Sequence, residues 1–231
     1  MRTERGCEGD ADRTLPTLRL PACTLKIGPM DNLPIVMLAA GSASRMRGRD
    51  KLLEDVAGQS LIRRQAMMAR AVTRGPVIVA LPPRPHQRYA ALEGLDVDCL
   101  PVMAAAEGMG ASIRAAAGAL PPDAAYAMIV LGDMPDLTEN DLKKIIESVD
   151  FAPNNLVWRG QTSDGRPGHP IIFHADLFGA LRALKGDSGG REVVAAAGAR
   201  VHYVRLPGNR ARLDLDTPED WAAWRARRDP T

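Results

Sequence analysis

Across residues 33–228, apolar positions follow two periods in alternation. Short apolar runs mark strands, the first of them, β-branched, expected to be buried. They occur in "IVML" (35–38), "PVIVALPP" (76–83), "VDCLPV" (97–102) and "YAMIVLGDMP" (126–135). Between them apolar residues recur at helical spacing: "LIRRQAMMARAV" (61–72) with Ser60 as its cap, a short helix over 89–93, and "GASIRAAAGAL" (110–120). Thr138 followed by Asp141 gives "TENDLKKIIESV" (138–149) a capping-box start. The second half is less regular. "NLVW" (155–158) and "PIIFH" (170–174) predict strands around a glycine-rich loop. "DLFGALRAL" (176–184) and "GREVVAAAG" (190–198) predict helices, and "RVHYVRL" (200–206) a strand. "TPEDWAAWRARR" (217–228) predicts a last helix, capped by Thr217, with Pro218 at its first position. Met67, Met68 and Trp221 fall at helical spacing and Cys99 within a strand, so all four are expected in the core. Such alternation predicts an α/β fold with a mostly parallel sheet. Ligands of such sheets bind beyond the carboxyl ends of the strands. The residues to inspect are therefore 40–51, after the first strand, and Asp133, after the fourth.

Composition narrows the classes. The 231 residues are 45% hydrophobic and 25% charged, with a formal net charge of +2. That balance gives no global field for nucleic acid or an anionic membrane, so an anion site must be local. Cys7, Cys23 and Cys99 form no CxxC and no zinc quartet, which fits a reducing cytoplasm. No apolar run reaches the length of a membrane span. Residues 1–32 mix charge, Gly and Pro without period or a signal-peptide core, and are expected to be a disordered extension. Residues 33–228 are expected to form a single domain.

Chemistry concentrates in a few stretches. "PIVMLAAGSASRMRGRDKLL" (34–53) runs from a strand through Gly41 into Arg45, Arg47, Arg49 and Lys51. A glycine turn can present backbone amides to an anion, Arg45 can fork onto phosphate, and Lys51 can add a point charge. A basic surface loop explains the same pattern. Asp133 in "GDMP" suits Mg²⁺, which takes few protein ligands plus phosphates; a turn aspartate is the alternative. Asp214 and Asp216 in "RLDLDTPED" alternate onto one face of an extended segment and would complete a metal site, unless Asp216 caps the last helix. "SDGRPGHP" (163–170) reads as a rigid loop carrying Arg166, Gly168 and His169, and "KGDSGGRE" (185–192) carries Asp187 and Arg191. No GxSxG or triad pattern supports a protein nucleophile.

Five blocks in order, "LAAGSASRMRGRDKLL", "EGMGASIRAA", "GDMPDLT", "GRPGHPIIF" with "GDSGGREVV", and "LDLDTPEDW", resemble the MobA-like nucleotidyltransferases that act on molybdenum cofactor. The nearest resemblance is to the cytidylyltransferase branch. It implies a Rossmann-like nucleotide-diphospho-sugar transferase fold with helices on both faces of the sheet. It also implies transfer of a nucleotide from CTP to the terminal phosphate of molybdopterin, with Mg²⁺ as cofactor and pyrophosphate as product. Leu38, Ala39, Ala40, Gly41 and Gly132 would line the nucleotide site. Arg45 and Lys51 would hold the triphosphate, and Asp133, with Asp216 or Asp214, the metal. Arg166, Gly168, His169, Asp187 and Arg191 would meet the acceptor. A molybdenum hydroxylase or its maturation factor is the further partner implied. "LAAG" and "GDMP" resemble the cytidylyl branch, whereas the "GRDK" spacing resembles the guanylyl branch, which would use GTP. Ala43 and Arg47 depart from the Ser and Gly usual there. Transfer to another phosphorylated acceptor, or a non-catalytic cofactor-handling role, are the rival readings; Lys51 and Asp133 argue against the latter.

Overall fold

The computed structural model describes residues 30–152, 154–186 and 189–228. In chain order the elements are β1 (Ile35–Leu38), β2 (Asp55–Val56), β3 (Gln59–Ser60), α1 (Leu61–Ala71), β4 (Val77–Leu81), α2 (Gln87–Ala91), β5 (Asp98–Pro101) and α3 (Met109–Gly118). There follow β6 (Tyr126–Leu131), α4 (Glu139–Phe151), β7 (Val157–Gln161), β8 (Pro167–His174), α5 (Phe178–Arg182), α6 (Arg191–Ala196), β9 (Val201–Arg205) and α7 (Pro218–Arg228). β2 and β3 form a separate small hairpin; the other strands make one sheet in the order β5-β4-β1-β6-β8-β7-β9. Every neighbouring pair is parallel except those that include β8, which is antiparallel to both β6 and β7. The expected mostly parallel α/β sheet is therefore present.

Alternation along each strand divides the core between the two faces. Ile35 and Met37 of β1, Val77, Val79 and Leu81 of β4, and Met128 and Val130 of β6 pack with Leu142, Ile145, Trp221 and Trp224 from α4 and α7. Val36, Leu38, Ile78, Ala80 and Ile129 face the other way, against Ala111, Ile113, Leu181 and Val193 from α3, α5 and α6. Among the described residues both faces are covered, so ligand access to the sheet lies at the ends of its strands.

Several local expectations change. Ser60 stands at the start of α1 but its hydroxyl makes no cap, because the residue pairs with Asp55 in the small hairpin and the Leu61 amide donates to Glu54 O at 2.9 Å. Met67 is 44% exposed. It falls outside the α1 face made by Leu61, Ile62, Gln65, Ala66, Met68 and Ala69. Trp221 and Met68 are buried as expected, and Cys99 is partly buried against the core. Residues 167–170 belong to β8 rather than to a loop, so only 162–166 connect β7 to β8. The short helix lies at 87–91 rather than 89–93. The Thr138–Asp141 capping box forms with both of its reciprocal bonds. Residues 1–29, with Cys7 and Cys23, lie outside the described residues. Among the described residues no helix is long and apolar enough to cross a membrane.

Candidate active site

A cleft of about 1030 Å³ opens beyond the carboxyl ends of β1, β4 and β6. One wall is the loop that leaves β1: Leu38, Ala39, Ala40, Gly41, Arg45 and Lys51. Gly108, Met109 and Ser112, at the amino end of α3, form another, and Pro82, His86 and Arg88 follow β4. Asp133 closes the end nearest Lys51. Gly132 does not line the cleft. Its amide donates to Leu38 O at 3.0 Å, and a Cβ there would lie 3.2 Å from that oxygen, so it is a packing glycine between β6 and β1.

Charge is sorted within the basic stretch. Arg47 forms a surface pair with Glu219 (2.7 Å), and Arg49, which also borders the cleft, pairs with the largely buried Glu54 (3.3 Å). Arg45 and Lys51 instead converge on carboxylates of the site. The Lys51 ammonium lies 2.6 Å from Asp133 Oδ2 and 2.7 Å from Asp216 Oδ1. Arg45 Nη2 lies 2.6 Å from Asp216 Oδ2. Burial alone would lower the Lys51 pKa, but the two carboxylates overcome it and raise the value above the ordinary lysine range. Asp133 Oδ1 is buried and makes no hydrogen bond. A buried carboxylate oxygen without a donor fits a hard cation.

The two alternating carboxylates take different places. Residues 213–216 form no strand. Asp216 meets Lys51 and Arg45, whereas Asp214 is exposed and its pKa is raised by desolvation and then by the neighbouring Asp216. Asp216 does not cap α7 with its side chain. Thr217 and Asp220 do that reciprocally, at 3.1 Å and 2.9 Å.

The acceptor residues separate. Because β8 is reversed, its first residues lie beside the carboxyl end of β6. His169 is there, close enough for the Asp133 charge to act on it, yet burial and then Arg159 depress its pKa to about 4. Its Nδ1 is buried without a partner. Gly168 packs against the 207–213 segment: a Cβ would lie 1.8 Å from Ala211 O. Arg166 is exposed and paired with Asp164 (2.9 Å) and Asn209 (3.3 Å), away from the cleft lining. Arg191 opens α6, exposed, near enough for its charge to act on Arg159. Asp187 lies outside the described residues. Sequence reasoning missed Arg159, whose Nε donates to Gly168 O at 2.9 Å, and Arg88, which is 2% exposed. An arginine in a strand or a short helix ordinarily reads as surface, and nothing in its neighbours marks these two. Among the described residues no cluster of three or more His, Cys, Asp or Glu side chains makes a ready metal cage.

Residues 35–202 match the family model of the MobA-like NTP transferase domain. The chain is 30% identical over 184 residues to the bifunctional protein GlmU of Stutzerimonas stutzeri, which covers 74% of this chain but only 39% of that protein. It is 33% identical over 117 residues to a probable molybdenum cofactor guanylyltransferase of Natronomonas pharaonis, covering 50% of this chain and 56% of that one. Among solved structures, Rv0371c of Mycobacterium tuberculosis H37Rv superposes with a TM-score of 0.70 at 29% identity, over 84% of this chain and 97% of that one. The same protein has been solved in complex with manganese, and that structure superposes with a TM-score of 0.68.

Proposed function

The chain belongs to the MobA-like NTP transferase domain family, and from that premise we propose that it transfers the CMP moiety of CTP to the terminal phosphate of molybdopterin cofactor. A phosphate oxygen of the acceptor attacks the α-phosphorus, the bond to the β-phosphate oxygen breaks, and pyrophosphate leaves. The acceptor is its own nucleophile, which agrees with the missing protein triad. Catalysis then rests on positioning and on neutralising charge.

The observation that carries this reading is the ion cluster of Lys51, Asp133, Asp216 and Arg45 beside the glycine loop at the carboxyl end of the sheet. Among the described residues, the backbone amides of Ala40, Gly41, Ser42 and Ala43 donate to no protein acceptor. They would be available to donate to phosphate oxygens, as amides in an anion-binding turn do. Lys51 and Arg45 stabilise charge on the departing pyrophosphate. Asp133, through its unpartnered Oδ1, and Asp216 would hold Mg²⁺; a bound Mg²⁺ supplies further neutralisation of the triphosphate. Two carboxylates suffice for an ion that completes its shell with water and phosphate. On the acceptor side, His169 stays uncharged at neutral pH and offers hydrogen bonding, so Arg159 and Arg191 carry the positive charge there.

GTP is the second reading. The Natronomonas pharaonis relative bears a guanylyltransferase name, and the "GRDK" spacing points the same way. Pyrophosphate release from the purified chain with Mg²⁺ and molybdopterin, offered CTP and GTP in parallel, tests both. Release with CTP alone is expected. Release with GTP alone reverses the base, and none with either removes molybdopterin as the acceptor.

A further inference from the structure

A single buried side chain that also borders the cleft ties together the loop that leaves β1. Arg88 lies in the first turn of α2. Its Nε donates to Asp50 Oδ2 at 2.7 Å and its Nη2 to Asp50 Oδ1 at 2.8 Å. Its Nη1 donates to the carbonyl oxygens of Ala39 at 2.6 Å and Gly41 at 3.0 Å. One guanidinium thus joins both ends of the loop that runs from residue 39 to residue 50.

Two consequences follow for the cleft. A trans peptide sets its carbonyl and the next amide on opposite sides. Anchoring the Ala39 and Gly41 carbonyls on Arg88 therefore turns the Ala40 and Ser42 amides away from it, and these are among the amides without a protein acceptor. Asp50 also accepts the Leu52 amide at 3.0 Å and caps the turn that begins with Lys51. The fork that fixes Asp50 therefore fixes the base of the Lys51 side chain.

We propose that Arg88 is a positioning residue for the nucleoside triphosphate: it holds the loop amides and Lys51 in the arrangement that the phosphates need. The proposal rests on the reading of this cleft as a nucleotide site. A lysine cannot substitute, because a point charge cannot fork onto Asp50 and also reach two carbonyls.

Calorimetric titration of the full chain with Mg²⁺ and CTP, and separately GTP, tests it without an acceptor. Arg88→Lys is expected to bind the preferred nucleotide at least tenfold more weakly. In turnover its KM should rise by a similar factor while kcat stays within about threefold. A purely structural role would lower the thermal midpoint and the folded fraction but leave KM of the folded protein unchanged. The double variant Arg88→Met with Asp50→Asn leaves no unpaired buried charge, and it decides the question if Arg88→Lys folds poorly. It too should lose at least tenfold in affinity. Affinity within twofold of the unsubstituted chain, in either folded variant, overturns the proposal. An unsubstituted chain that binds neither nucleotide instead removes the reading of the cleft, and the proposal with it.

Discussion

Lys51 is 14% exposed and has a carboxylate on each side, so its charge is held in place at the end of the cleft beside Asp133. Asp133 differs from its neighbours in keeping one buried oxygen unpartnered. Asp133→Asn keeps the shape and removes the charge. Steady-state pyrophosphate release by this variant is expected to fall by about a hundredfold or more, the scale for losing one aimed electrostatic group. Its thermal midpoint should stay close to that of the unsubstituted chain, and an unaltered rate would rule Asp133 out of the reaction. His169 gives a stability prediction with a fixed sign. Its pKa of about 4 lies below the ordinary 6.5, so the unfolded chain binds the extra proton between those values. The stability that neutral His169 contributes is present above pH 6.5 and is lost as pH falls to 4, up to about 3 kcal/mol. Urea unfolding at stepped pH should show this slope, and His169→Asn should flatten it.

At the scale of elements, the reversal of β8 brings His169 beside the carboxyl end of β6. That strand also explains which glycines the fold requires. Gly168 leaves no room for a Cβ, with Ala211 O 1.8 Å from the ideal position. Gly41 has nothing within 4 Å of its own. Gly168→Ala should therefore destabilise the chain by about 1–3 kcal/mol, the scale of overpacking, and disturb the segment leading to Asp216. Gly41→Ala should leave stability within about 0.5 kcal/mol and act instead on nucleotide KM. Denaturant midpoints and KM measured on both variants separate these outcomes. An equal loss of stability in the two would contradict the packing argument.

At the scale of the whole molecule, a sheet covered on both faces leaves its carboxyl end as the open cleft, and this is where the charged groups meet. A chain with a net charge of +2 has no field to gather an anion from a distance, so in the proposed reaction the local cluster and a divalent ion would do so. Turnover is accordingly expected to vanish in EDTA and to return with Mg²⁺ or Mn²⁺; turnover that persists in EDTA would exclude the metal. The period of apolar residues determined the parallel strands and the longer helices, because burial on both faces writes continuous runs and burial on one writes a 3.6-residue repeat, but it gave no sign of the β2–β3 hairpin or of the first residues of β8. Sequence likewise determined that Lys51 and Asp133 follow strands, and with parallel strands that placed them at one end. Tertiary structure alone decided which of the four cations in the basic stretch face the cleft, since spacing of one or two residues in an irregular loop fixes no direction. It also decided that Asp216 and not Asp214 joins Lys51, and that Arg166 stays in a surface pair. Arg88 was beyond the reach of pattern, because its carbonyl partners lie 47 and 49 positions away and only folding brings them together.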